Sequence, residues 1–431
     1  MSDKDTLNNE KAWKCLFGKY NILDHIATNG SFTISASAIK EFREPRLMTK
    51  FDHWVNLPSI FQENNLAILP TARGEYIISH FAAYHKLEPF ASPITQCTLP
   101  TFLESINPAA ISSEAVALNC AVAAGILSDF LGEDEIYATV SGRMGSGVFS
   151  FKIDCSTCDK IFSIVVRNSQ IEIDAAYEGI ESLAIFEAKR DISEDFLIRQ
   201  LYYPFRVLKT NLKKQIRPIF MIFSNRIYRF FEYKFDDINN YNSLHLIKQK
   251  NYSIEPTAIS MRDIETIFSG VSIEPEPQVP FPQADRFERV INICELLQNS
   301  PLTDDEITEV YAFNSRQTRY YTDAGRYLGL IEKETKVSLP AYKLSEKGKN
   351  VIKKDFRERQ LAFCECILQH VIFHEVMRRT LQEGDIPDKG AIISLMQAAN
   401  LFQIGSDSTF IRRASTVRSW ISWIFSLKTE V

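Results

Sequence analysis

Gln170-Ile-Glu-Ile-Asp174-Ala-Ala-Tyr-Glu-Gly179-Ile-Glu-Ser-Leu-Ala-Ile-Phe-Glu187-Ala-Lys189 reads as two apolar-rich strands joined by a turn at Gly179. Asp174 falls near the end of the first strand. Glu187 and Lys189 fall near the end of the second, two residues apart, so both project from one face. Closing the hairpin brings Asp174 beside them. Three charges at the ends of apolar strands are costly unless something pairs them. One answer is a divalent cation bridging Asp174 and Glu187. Two hard carboxylate oxygens, completed by water and a phosphate oxygen, suit Mg²⁺, with one or two ions per site. Such an ion activates water and neutralises phosphate charge, and Lys189 adds a point charge beside the scissile group. The bland reading of the same residues is an ion pair at a sheet rim. Glu172, Glu178 and Glu181 read as solvated or peripheral; Glu172 shares the strand parity of Asp174, which makes a further ligand its alternative reading.

Working outward, strands are expected at about 147–154, 161–167, 217–224 and 226–234, and a helix over 194–209 capped by Ser193. Residues 112–130 read as one buried helix capped by Ser112 or Ser113. Residues 10–50 look helical and 51–105 mixed. The fold class is therefore α+β, a mixed sheet with helices packed on it. The segment 271–285, VSIEPEPQVPFPQAD, is Pro- and Glu-rich and predicts an extended, exposed linker. Beyond it, Arg286–Asn299 is amphipathic, Thr303 caps a helix over 304–312, Ser315 opens another over 316–329, and strand-like pieces span Ile331–Leu344. Three helices followed by a hairpin is a winged-helix arrangement, a variant of helix-turn-helix. The domains expected are 1–110, a scaffold or recognition region; 111–270, the catalytic domain; the linker; 286–355, the winged helix; and 356–431, a second helical unit with helices over 391–402 and 408–427.

The hairpin pattern resembles the PD-(D/E)xK nuclease motif, with Asp174 as its Asp and Glu187-Ala-Lys189 as its second half. Ile173 stands where the bare motif has Pro. The resemblance implies a mixed sheet flanked by helices, and it implies roles for two further residues. Gln200, in Phe196-Leu-Ile-Arg-Gln200-Leu-Tyr-Tyr-Pro204, matches a helix Gln that aligns the nucleophile or Lys. Glu114 matches a Glu on the first core helix that adds a metal ligand. Lys40–Asp52, Leu57–Phe61 and Ile68–Pro70 resemble the N-terminal region of a group of type II restriction endonucleases. The similarity implies sequence-specific hydrolysis of DNA to 5′-phosphate ends, with a cognate DNA methyltransferase as functional partner. One catalytic site cuts one strand, so a homodimer, at least on DNA, is expected. The alternative readings are a winged-helix regulator with a degenerate nuclease fold, and a nuclease of DNA repair or transposition.

Net charge is −5, from 49 basic and 54 acidic residues, so contact with duplex DNA would need a local basic face. Residues 311–360 hold such a surplus. Arg316, Gln317, Thr318, Arg319, Tyr320 and Arg326 form the expected recognition helix, with Lys333, Lys336 and Lys343 along the wing. Arg412, Arg413 and Arg418 are the phosphate contacts expected in the last helix, whose Trp420 and Trp423 read as core. The alternative for the winged helix is a protein–protein module. Eight cysteines without a secretory leader read as reduced thiols of a cytoplasmic protein. Cys155-Ser-Thr-Cys158 has no second pair at zinc-site spacing, so no zinc is expected and a turn with buried thiols is the simpler reading. Cys364, Cys366, His370 and His374 read as one helix. Arg143–Gly147 lacks the Lys of a phosphate loop and reads as a turn. No apolar run spans a membrane.

Overall fold

The computed structural model describes residues 8–90, 93–108, 111–311, 313–334, 340–399, 401, 402, 404 and 406–429. The protein is a mixed α+β molecule, 42% helix and 26% strand, with no barrel. It divides into two compact units. The first comprises residues 1–93, 114–222 and 228–251, and the second 94–113, 223–227 and 252–431. Among the described residues no helix is long and apolar enough to cross a membrane.

The first unit opens with α1 (Asn9–Tyr20), α2 (Ile22–Asn29), β1 (Phe32–Ser35), α3 (Ala36–Lys40), α4 (Pro45–Met48), α5 (Ser59–Glu63), β2 (Ala67–Ala72), β3 (Glu75–Ser79) and β4 (Tyr84–Lys86). Asn8 caps α1 by accepting from the Lys11 N–H. Trp13, Leu16 and Phe17 are buried on it, and the rings of Trp13 and Phe17 pack edge-on against Phe61. The short strand β5 (Ile94–Gln96) lies in the second unit.

The chain then forms α6 (Glu114–Ala123), α7 (Ile126–Leu131), β6 (Tyr137–Gly145), β7 (Val148–Asp154), β8 (Ile161–Arg167), β9 (Gln170–Glu178), β10 (Ser182–Lys189), β11 (Asp195–Leu197), α8 (Arg199–Asn211), β12 (Gln215–Ser224), β13 (Ile227–Phe235) and β14 (Leu244–Ser253). Strands β1-β3-β2-β8-β7 make one sheet, and β14-β13-β12-β10-β9-β6 run side by side in the larger one. Strand β10 pairs antiparallel with β9 and parallel with β12, so α8 is the crossover that a parallel pair requires. Every residue of β10 except Lys189 is buried, which explains its apolar run Leu183–Phe186.

Three expectations change here. The helix over 112–130 is two helices, because Gly125 takes φ +70° between them. The helix set at 194–209 begins at Arg199: Asp195–Leu197 instead pairs with Tyr84–Lys86, and Ser193 caps nothing. Strands β6 and β14 are additional; their sparse apolar alternation hid them.

The second unit contains α9 (Met261–Gly270), α10 (Phe287–Leu296), β15 (Leu302–Thr303), α11 (Asp304–Val310), α12 (Ser315–Tyr327), β16 (Ile331–Glu334), β17 (Ala341–Leu344), α13 (Glu346–Lys353), α14 (Phe356–Leu368), α15 (Val371–Glu383), α16 (Lys389–Ala398) and α17 (Asp407–Ser426). Strands β15-β17-β16 form a three-stranded antiparallel sheet. Capping boxes at Thr303/Glu306 and Asn314/Gln317 start α11 and α12. The segment 271–285 has no regular structure, yet it is not exposed throughout. Phe281 and Ala284 are buried, Phe281 stacks on Phe373, and the Ala284 carbonyl accepts from Trp420 Nε1 at 2.7 Å. Apolar anchors thus turn the expected exposed linker into a strap on the core of this unit. The expected helix holding Cys364 through His374 breaks at Gln369-His370, where α14 ends and α15 starts.

Candidate functional site

The β9–β10 register pairs Phe186 with Ala175. Asp174 and Glu187 are the next residue along each strand, just past the end of that pairing, and the Asp174 charge acts on Glu187. Asp174 is solvent-exposed, and its Oδ2 accepts the Ala188 N–H at 2.8 Å. Glu187 is buried, at 8% exposure. Its Oε1 accepts from Lys189 Nζ at 2.7 Å and from Gln200 Nε2 at 2.5 Å. Gln200 sits on the first turn of α8, so the crossover that follows β10 returns a side chain to the strand it left. Asp174, Glu187, Lys189 and Gln200 are therefore brought together. Glu114, the first residue of α6, is close enough for its charge to act on Asp174.

Two residues escaped the sequence reading. Asp52 Oδ2 lies 3.2 Å from Lys189 Nζ, a second carboxylate on that ammonium besides Glu187. His53, beside it, makes ion pairs with Asp191 (3.2 Å) and Asp195 (3.6 Å). Asp52 was quoted only as the end of an N-terminal block. A separation of 137 residues from Lys189 leaves no periodicity that could link them.

The electrostatics follow from this crowding. Burial and then the Asp174 and Asp52 charges push the Glu187 carboxyl up to about 7, against the pull of Lys189. Partial desolvation of its carboxylate, whose Oδ2 lies against the Ala188 N–H, raises Asp174 too, with Glu114 and Glu172 adding to it. Burial works against charge on Lys189, but Asp52 and Glu187 hold it protonated and well above an ordinary lysine. For Asp52 the burial penalty is outweighed by Lys189, Lys50 and His53, and its carboxyl stays below the usual range. Burial likewise opposes charge on His53, yet Asp191 and Asp195 carry it up to about 10.

Three carboxylates thus converge on one ammonium, and the acidic excess is what a cation would relieve. The donor chemistry fits Mg²⁺: two neighbouring carboxylates that act on one another electrostatically, one of them open to solvent. A second mark is Gln200 Oε1, a buried acceptor with no hydrogen-bond partner. Among the described residues no group of three or more His, Cys, Asp or Glu forms a ready metal cage. A cation held by Asp174 and Glu187 would complete its shell with water and phosphate oxygens.

In the second unit, the residues expected to meet DNA divide into those free to do so and those already engaged. Arg319 and Arg316 are exposed, and Arg316 Nε donates to the Tyr320 hydroxyl at 2.7 Å. Arg412 is exposed; Arg413, near Tyr320 and Asp323 of α12, buries its Nε and Nη1 without a hydrogen-bond partner. Thr318 is a correction. It is fully buried, sharing a hydrogen bond with the Thr308 hydroxyl at 2.7 Å, because its position on α12 faces α11. The Gln317 side chain closes the capping box through its Oε1. Arg326 pairs with Asp323, and Arg418 donates to the Pro387 carbonyl. Lys343 pairs with Glu334 and Glu332, and Lys333 lies 5.2 Å from the Tyr342 ring. Lys336 lies outside the described residues. Trp420 and Trp423 are core. Cys155 and Cys158 do occupy a turn, but Cys158 is exposed and Cys155 half-buried, so the expected buried thiols are not found there.

Three stretches of the chain match family models, each described as a domain of unknown function. Residues 10–78 are similar to DUF6996, 79–253 to DUF6997 and 289–429 to DUF7226. No curated protein and no solved structure matches the chain. The stretch 79–253 contains Glu114, Asp174, Glu187, Lys189 and Gln200, whereas Asp52 and His53 belong to the stretch 10–78.

Proposed function

We propose that this chain is a Mg²⁺-dependent endonuclease that cuts duplex DNA site-specifically, a type II restriction enzyme built on a PD-(D/E)xK core with a winged-helix DNA-binding region. The observation that carries the reading is the gathering of Asp174, whose Oδ2 accepts the Ala188 N–H at 2.8 Å, with Glu187, to which Lys189 is hydrogen-bonded at 2.7 Å. The order α10, β15, α11, α12, β16, β17 with its small antiparallel sheet supports the winged-helix part of the reading.

Asp174 and Glu187 would hold the cation, which when bound neutralises phosphate charge and makes its water more acidic. Lys189 donates to a non-bridging oxygen of the phosphate as negative charge builds there. Gln200 and Lys189 together fix the Glu187 carboxylate, so the site needs little rearrangement on binding DNA. Water attacks phosphorus, the P–O3′ bond breaks, the leaving oxygen takes a proton, and the phosphate stays on the 5′ end. Each chain contributes one such site, so cleavage of both strands calls for two copies on DNA, and a methyltransferase would protect the host's own sites.

The test is incubation of the purified chain with unmethylated plasmid and Mg²⁺. Discrete fragments that disappear with Asp174→Ala support the reading. Tight DNA binding without cutting, under Mg²⁺ and Mn²⁺ alike, would leave a winged-helix regulator in its place.

A further inference from the structure

Residues 51–54 are sewn to β11, the segment before it and β4 by bonds that do not involve the Asp52 side chain. The Leu197 N–H donates to the Asp52 carbonyl at 2.9 Å. The Trp54 N–H donates to Asp195 Oδ1 at 3.1 Å. The Tyr84 hydroxyl donates to the Phe51 carbonyl at 3.0 Å. His53 adds its ring, with Nδ1 at 2.6 Å from the Asp195 carbonyl and Nε2 at 3.2 Å from Asp191. A protonated imidazole has two N–H donors and no acceptor, so this arrangement uses both.

So rigid a mounting serves one free group, the Asp52 carboxylate, and that group meets Lys189. Both side chains are largely buried, at 16% and 14% exposure, unlike a surface pair, which solvent would loosen. A lysine ammonium has three N–H donors on a flexible stem. Glu187 takes one and Asp52 a second, which leaves one for an anionic oxygen. Two fixed carboxylates on separate elements define where that third donor can reach; Glu187 alone would let the ammonium swing about a single contact.

We propose that Asp52 is a positioning residue of the catalytic centre, supplied by the N-terminal stretch 10–78, whose carboxylate holds the Lys189 ammonium in line with the scissile phosphate. The inference rests on the nuclease reading and adds to it. The N-terminal stretch is then part of the chemistry as well as any part it has in choosing DNA, and the catalytic centre is not contained within residues 79–253.

Full-length Asp52→Asn and Asp52→Ser keep the backbone anchors of the segment and remove its charge. Single-turnover cleavage of duplex DNA, the DNA and Mg²⁺ concentrations giving half-maximal rate, and thermal melting are measured for each. Folded variants should lose on the order of 10²-fold in kcat, as a misplaced catalytic group does, with both half-saturating concentrations unchanged, and Asp52→Glu should recover most of the rate. Wild-type rates in the folded variants overturn the proposal while leaving the nuclease standing, since Asp174→Ala remains inactive. A raised Mg²⁺ requirement with kcat intact makes Asp52 a cation ligand and overturns the positioning role. A wild-type chain that cuts no DNA removes both readings together.

Discussion

Gln200 Nε2 lies 2.5 Å from Glu187 Oε1, joining the first turn of α8 to the end of β10. A hydrogen bond to a charged group is worth about 1.5–3 kcal/mol, and its loss leaves Glu187 with fewer donors in a buried place. Gln200→Leu should therefore lower single-turnover cleavage about 10–100-fold. DNA affinity, read by fluorescence anisotropy with Ca²⁺ in place of Mg²⁺, should not change. A parallel loss of affinity would mean that α8 has shifted bodily.

On the proposed cation-holding role, Glu187 would link metal binding to pH. Its carboxyl stands at about 7 in the folded chain, chiefly through burial and then its acidic neighbours, against an ordinary value of 4.5. Between those values the folded state keeps a proton that the unfolded state has released. The group therefore costs stability as pH rises through that window, and the cost persists above it. A cation that replaces the proton reverses this. Millimolar Mg²⁺ should raise the melting temperature by several degrees at about pH 8 and hardly at all at about pH 5.5. Glu187→Gln should abolish the difference. Equal shifts at both pH values would place the ion elsewhere.

His370 sets a second pH dependence. It is 3% exposed, lies against Tyr327 at 4.3 Å, and its ring nitrogens have no hydrogen-bond partner. Burial, with the Lys347 charge added, drives it down to about 4. From about 6.5 downward the unfolded chain takes up a proton that the folded chain refuses, so stability falls as pH falls towards 4. Urea denaturation should show a loss of about 2 kcal/mol from this residue between about pH 7 and pH 5. His370→Phe should flatten that slope while keeping the stack on Tyr327.

Thr318 and Arg319 are neighbours with opposite duties. Thr318 is buried and bonded to Thr308, so Thr318→Val should cost about 1 kcal/mol of stability and leave DNA affinity alone. Arg319 is exposed on the same helix. Arg319→Ala should leave stability alone and either weaken binding uniformly with a salt slope lower by about 1, for a phosphate contact, or relax discrimination at one base pair. Binding isotherms across salt concentrations separate the two.

The hairpin was legible because β9 and β10 are adjacent in sequence and strongly apolar. Asp174, Glu187 and Lys189 could be placed from strand parity alone. Gln200 came from resemblance. The helix start was misplaced because Ser193 and Glu194 look like a cap, while the pairing of Asp195–Leu197 with Tyr84–Lys86 joins residues more than a hundred apart. Strand β14 carries His245, Lys248, Gln249 and Lys250, and its polar composition hid it. Thr318 was misassigned because composition does not say which side of α12 faces the core. Asp52 and His53 had no local signal: their meaning lies wholly in the partners that the fold brings to them.

The hairpin and the segment that steadies its lysine are separated by their order of assembly. A hairpin of some twenty residues closes in microseconds, whereas contacts joining distant stretches wait on slow, entropically costly loop closure. The Asp52–Lys189 pair spans 137 residues. On the proposed nuclease reading, loosening of the N-terminal stretch would free Lys189 from Asp52 while the β9–β10 pairing, which does not run through that stretch, still stands, so the hairpin could be intact and the site silent.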